Sequence, residues 1–400
     1  MQENGREKAT INQNFLLASF FSTGEIQKTL FMQHQAMLDW NRLFALSQRH
    51  KVSIIFIRGI ERCGIVSLLP HSVQNRIGSI KRAAQKRIHN ANTTLRQLHE
   101  GFTREKIPFM VLKGSVFAEE LYSEAMVRPF HDIDLLVSPQ FIKKTEDIII
   151  SLGYQFYFPP VQIMGFIPFW HIPRRTQGVY DPNIVKKLYR RYHFHFPFVL
   201  PQKDRRVPID LHWQLFWPGV MKGKPECIWK YKRTVFLKNL NVNTLDMKAT
   251  LLYLAVKIAI DGPEDFKLIN ICDFFRCLNV YQDHLDIHEL RQMAENWGVT
   301  RYFQFSLWLT KKIFRVEVPS VFTSCPPNSG YRYRYFQRSV TSLVLLRFPE
   351  QYRQNIFKVI ICSFLWDLGI LRVPRRAVKE MVRCIILFFK KRWVKKNASY

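Results

Sequence analysis

Two aspartates one residue apart, Asp132 and Asp134, lie in the segment Arg128-Pro-Phe-His-Asp-Ile-Asp-Leu-Leu-Val137. Ile133, Leu135 and Val137 alternate with them, the pattern of a strand with one face in a core. Side chains at i and i+2 of a strand share a face, so the two carboxylates converge. Hard oxygen donors held in that way can grip a divalent cation and, through it, the phosphates of a triphosphate. On an edge strand the same pair would only solvate the outer face.

The neighbouring segments bear on that choice. Ile107-Pro-Phe-Met-Val-Leu112 is a short apolar run that ends in Lys113-Gly114-Ser115, and the apolar positions of Val116 to Tyr122 fit a helix. The order is strand, glycine turn, helix. Gly114 lets a ligand approach the main chain closely, and the free N–H groups of a helix start favour an anion. Lys113 and Ser115 would meet phosphate there, although a glycine turn also joins any strand to any helix. A third carboxylate, Asp210, shares a strand face with His212 in Val207-Pro-Ile-Asp-Leu-His-Trp213. Three carboxylates can hold two metal ions that bind a triphosphate and lower the pKa of an attacking hydroxyl, leaving an acid as general base. Such transfer asks for positioning and charge neutralisation and needs no covalent nucleophile. Arg128 either donates to a phosphate oxygen or pins its loop by pairing with an acid such as Glu124. His212 either contacts a base, a hydroxyl or a carboxylate, or is a hydrogen-bonded core histidine.

Taken in order, Val111-Leu-Lys-Gly-Ser115, Leu121-Tyr122, Arg128, Asp132-Ile-Asp-Leu-Leu-Val137, Leu152-Gly-Tyr154 and Ile209-Asp-Leu-His-Trp213 resemble an uncharacterised bacterial nucleotidyltransferase family of the DNA polymerase β-like superfamily. The resemblance spans about Leu95 to Asp273, since Leu251-Leu-Tyr-Leu254 through Asp273-Phe-Phe-Arg276 also looks like the helical segment that follows the family's core. It implies an α+β fold, a small mixed β-sheet core with flanking N-terminal and C-terminal helical regions. It further implies Mg²⁺ or Mn²⁺ bound through Asp132 and Asp134, with Asp210 as the third acid. Gly114 and Ser115 would be the turn that cradles nucleotide phosphates. The lysine before that glycine and the long gap from Ser115 to Asp132 depart from the usual superfamily pattern.

The rest of the chain must position these groups. Apolar residues recur every three or four positions from Ile77 through Ala84, Ala91, Leu95 and Phe102, predicting one long amphipathic helix that feeds the first core strand. Glu25 to Arg49 reads as another helix, and Met1 to Thr10 as a polar tail without an apolar leader core. Residues 1–105 are thus expected to be helical, 106–240 to form the catalytic core and 241–400 to be helical again. The C-terminal helices are expected over Thr250–Ile260, Phe266–Asn279, Ile287–Trp297 and Arg301–Phe314, followed by a linker over Pro319–Gly330. Within the core, about 154–206 is an insertion dense in aromatics and prolines, either a lid that stacks bases or sugars or a secondary apolar cluster. His193-x-His195 lacks a third clustered ligand, so no zinc site is expected.

Composition bounds the functional classes. A chain of 400 residues, 47% hydrophobic and 14% aromatic, can bury one or two substantial cores, which excludes a disordered protein. Its formal charge of +29 attracts polyanions: nucleoside triphosphates, nucleic acid or acidic lipid. Seven cysteines without paired spacings fit reduced, mostly buried thiols in a cytoplasm. No apolar run reaches spanning length, and Met381-Val-Arg-Cys-Ile-Ile-Leu-Phe-Phe-Lys-Lys-Arg-Trp393 either lies on an anionic membrane surface or is a buried helix with basic flanks. The expectation is a metal-dependent nucleotidyltransferase, cytoplasmic or peripheral at the membrane. It moves a nucleoside monophosphate from NTP to an acceptor that is a small molecule, glycan precursor, RNA or protein, with release of pyrophosphate. The alternative is a non-catalytic basic protein of the same fold that holds RNA or an anionic membrane. Neither reading gives the oligomeric state.

Overall fold

The computed structural model describes residues 2–20, 24–122, 128, 130–157, 186, 190, 194–200, 207–216, 220–223, 225–260 and 267–315. Helices come first: α1 (Gln2–Ala18), α2 (Glu25–His34), α3 (Trp40–Arg49), α4 (Ser53–Arg62) and α5 (His71–Arg104). Where a polar tail was expected, α1 forms instead. Phe15 and Leu16 anchor it in the core, and the polar residues before them extend its N-terminal turns. The single helix expected over Glu25–Arg49 is divided. Leu38 is extended (φ −75°, ψ 121°), and the Asp39 carboxylate accepts from the Arg42 N–H at 3.0 Å, so Asp39 starts α3 afresh. The long amphipathic helix is present as α5, 34 residues or about 50 Å. It buries Ile77, Ala84, Ala91, Leu95, Leu98 and Phe102 along one stripe.

The sheet follows: β1 (Phe109–Val111), α6 (Ser115–Glu120), β2 (Ile133–Val137), α7 (Ile142–Ser151), β3 (Gln155–Phe156), β4 (His195–Val199) and β5 (Ile209–His212). Its order is β1-β2-β5-β4-β3, with β2 and β5 parallel and the other pairs antiparallel. Every residue of β2 is buried, so the strand is central and covered on both faces. A hairpin of β6 (Lys232–Leu237) and β7 (Leu240–Leu245) turns through Lys238 and Asn239, both at positive φ as a two-residue turn requires. It docks on the edge of the sheet, where Thr244 Oγ1 donates to the Val111 carbonyl at 2.7 Å.

The C-terminal helices are α8 (Met247–Ile260), α9 (Leu268–Tyr281), α10 (Ile287–Trp297) and α11 (Thr300–Phe314), close to the spans that periodicity predicts. α8 is apolar nearly all round and buried accordingly. Cys272 and Cys277 are buried free thiols on α9. The architecture is α+β, a mixed five-stranded sheet with helices flanking it. Most of the aromatic insertion, with His193, lies outside the described residues. Of its rings, Phe156, Phe196 and Phe198 pack into the core, Phe156 edge-on to Phe196 at 5.4 Å between centroids. The expected 319–330 linker and the basic run at 381–393 also lie outside the described residues. Among the described residues no helix is long and apolar enough to cross a membrane.

Candidate active site

The parallel pairing of β2 with β5 sets Asp134 directly beside Asp210, with Leu136 beside His212. The antiparallel partner β4 then sets His195 opposite His212. One row of strand residues thus carries two carboxylates and the next carries two imidazoles, on the same side of the sheet. Ligand-capable atoms of Asp134, Asp210 and His212 all lie within 4.8 Å of one another. His212 Nε2 is 3.2 Å from Asp134 Oδ1, and Lys113 Nζ, from the segment after β1, is 3.1 Å from the same oxygen. The other oxygen, Asp134 Oδ2, is buried without a hydrogen-bond partner among the described residues. The His195 ring stacks on that of His212 with centroids 4.9 Å apart, and its Nε2 is 4.0 Å from Asp210 Oδ1.

Charge distributes unevenly over this cluster. Burial works to raise the Asp134 pKa, but the Lys113 ammonium and the His212 hydrogen bond outweigh it and hold the carboxyl well below the usual range. Burial likewise works against a charged Lys113, and Asp134 foremost among its neighbours keeps that ammonium protonated far into alkali. Asp210 goes the other way: burial, then the negative charges of Asp134 and Asp132, push it up to about 8. Since 23% of the Asp210 side chain is exposed, solvent screens part of that effect. Burial lowers His212 despite its bond to Asp134. A neutral imidazole there donates from Nε2 and holds the Asp134 carboxylate in place.

Asp132 sits differently from the strand position expected for it. The ladder begins at Ile133, whose N–H donates to the Pro208 carbonyl at 2.9 Å, so Asp132 falls in the bend before β2. Its Oδ2 is 3.8 Å from Lys51 Nζ with both side chains partly exposed, and it is not in the group that Asp134 forms with Asp210 and His212. Arg87 Nη1 donates to His131 Nε2 at 2.9 Å. Burial, helped by the Arg87 and Lys51 charges, lowers the His131 pKa to about 4. One cation on α5 and one in the turn between α3 and α4 therefore border the bend. Gly114 adopts φ 63°, ψ −101°, and a Cβ there would lie 3.3 Å from Phe130 Cβ and 3.5 Å from the Asp132 carbonyl oxygen. The glycine turn thus packs against the bend that carries Asp132. Ser115 is the buried first residue of α6.

Arg128 pairs with an acid from a distant element. Its Nε and Nη2 donate to the two carboxylate oxygens of Asp273 on α9 at 3.0 and 2.6 Å, both side chains nearly fully buried. Tyr122 Oη donates to Asp273 Oδ1 at 2.9 Å. Sequence reasoning missed Lys51, His195 and Asp273 as neighbours of the motif residues. For His195 there was a signal, the alternation of Phe196 and Phe198 with His195, Pro197 and Val199, which is that of a strand with one buried face.

The cluster suits a divalent cation. Its acidic donors are the Asp134 and Asp210 carboxylates, and a buried carboxylate oxygen, Asp134 Oδ2, has no hydrogen-bond partner among the described residues. Mg²⁺ and Mn²⁺ both take carboxylate oxygen donors of this kind. Comparison with curated proteins finds no match. Comparison with protein families matches the one described as uncharacterised nucleotidyltransferase over residues 36–315, from just before α3 to the end of α11. With well over half of its length inside that match, the chain belongs to the uncharacterised nucleotidyltransferase family.

Proposed function

We propose that the protein is a metal-dependent nucleotidyltransferase that moves a nucleoside monophosphate from NTP to an acceptor hydroxyl or phosphate and releases pyrophosphate. The observation that carries the reading is the pairing of Asp134 with Asp210 across parallel strands, with Asp134 Oδ2 buried and unpartnered among the described residues. Asp134 and Asp210 would hold the cation. A divalent cation bound there would neutralise phosphate charge and acidify an attacking hydroxyl. His212 and Lys113 fix the Asp134 carboxylate through its Oδ1 and keep it ionised. Gly114 and Ser115 would offer main-chain N–H groups to the triphosphate, with Gly114 taking the φ 63°, ψ −101° conformation that other residues avoid. Asp132 is assigned to the acceptor side, where its partly exposed carboxylate can take the acceptor proton.

The reading requires Mg²⁺-dependent NTP binding that Asp134→Asn and Asp210→Asn each weaken more than about 100-fold, beyond what an outer-shell change typically costs, with circular dichroism unchanged. Each labelled NTP, incubated with the protein and cell extract, should be screened for pyrophosphate release and a labelled product. The charge of +29 supports a rival, a basic protein that only holds RNA or anionic membrane. It predicts salt-steep association with RNA or anionic vesicles, indifferent to EDTA and to both substitutions. Absence of pyrophosphate release and labelling under every metal would leave that rival standing.

A further inference from the structure

We propose that the site takes a single divalent cation per chain, because Lys113 supplies from within the protein the positive charge that a second cation would bring. This deepens the nucleotidyltransferase reading and rests on it. In two-cation sites the ions sit about 3.5–4 Å apart, a spacing that a carboxylate can bridge by presenting one oxygen to each. Asp134 is the residue placed for that duty, on the central strand beside Asp210. Yet its Oδ1 already lies 3.1 Å from Lys113 Nζ and 3.2 Å from His212 Nε2, so that oxygen's lone pairs are taken. Only Oδ2 is left to ligate, together with Asp210.

The lysine is built in. Its side chain is 14% exposed and that of Asp134 1%, so moving the ammonium away would leave a buried carboxylate without its counter-charge. Asp132 is two residues off and borders Lys51, so it does not replace the lost Asp134 oxygen. The departure of this chain from the usual glycine turn, a lysine just before the glycine, then has a chemical meaning.

Mn²⁺ titrated into the full chain with one equivalent of a non-hydrolysable NTP analogue, followed by the EPR signal of free Mn²⁺, should saturate at one ion per chain. Lys113→Gln frees Asp134 Oδ1 and should bind two, whereas Lys113→Arg, which keeps the charge, should stay at one. In EDTA without nucleotide, Lys113→Gln should melt below the wild type and recover with Mn²⁺. Two ions in the wild type would overturn the proposal while leaving the nucleotidyltransferase reading intact, and no Mn²⁺ binding at all would overturn both. Should Lys113→Gln not fold, a second ion on Lys113→Arg would still refute the proposal, since charge at that position is what excludes it.

Discussion

Three carboxylates of the same chemical type meet three different environments in this site. Asp134 is fixed as an anion by Lys113, Asp132 faces Lys51 at the surface, and Asp210 is crowded by the negative charge of both. Asp210 therefore gives the metal-free protein a measurable pH dependence. Its pKa rises from about 4 in an unfolded chain to about 8 in the fold, so the folded state holds the proton more tightly. The stability this contributes is complete below about pH 4 and is lost as pH climbs through about 8. Asp134 remains ionised across that window and adds no slope. The lowered pKa values of His131 and His212 act in the opposite sense only below about pH 6.5, so urea denaturation in EDTA should show stability falling from about pH 7 to pH 9, and Asp210→Asn should flatten the decline. A wild-type profile as flat as the variant's would disprove this account of Asp210. Divalent cations compete with the same proton, so their affinity should rise over the same range.

At the scale of elements, the strand–turn–helix unit holds the site by one conformation. Gly114 has positive φ, and its missing Cβ leaves 3.3 Å to Phe130 Cβ, tighter than ordinary contact. Gly114→Ala should cost about 1–3 kcal/mol in backbone strain, lower the melting temperature and weaken NTP binding by shifting the bend that bears Asp132. Unchanged melting and binding would show that the turn does not govern the bend. The K-G-S run between an apolar strand and an amphipathic helix was legible because its periodicities are local. The start of β2 was not, since alternation counts Asp132 as a strand residue while the hydrogen-bond ladder with Pro208 and β5 begins one residue later. The division of Glu25–Arg49 turned on the Asp39 cap, which the apolar pattern on both sides conceals.

Across the whole molecule, one buried ion pair ties α9 to the segment between α6 and β2. Arg128 and Asp273 are 145 residues apart and form two hydrogen bonds, and Tyr122 donates a third to Asp273. Removal of one partner strands a buried charge, so Arg128→Met should destabilise the protein by about 3–5 kcal/mol. The double variant Arg128→Met with Asp273→Leu should recover part of that loss. Urea denaturation of the three proteins checks this, and a single-variant loss under about 1 kcal/mol would mean that the pair behaves like an exposed one. A second link, Arg233 on β6 with both oxygens of Glu120 on α6, joins the hairpin to the helix after the glycine turn.

The local order of residues determined that a strand, a glycine turn and a helix precede a D-x-D segment, that a third acid follows on another strand, and that amphipathic helices surround them, because each of these is written within a few turns or a few strand residues. Which groups meet was decided only by tertiary structure. The parallel register of β2 with β5 brought Asp134 to Asp210 and His212, a helical N-terminal segment brought Lys51 to Asp132, and α9 brought Asp273 to Arg128. Strand register and helix docking are set by the burial of entire faces, which sums over many residues far apart in the chain, so the partner of a single charged residue is not written beside it.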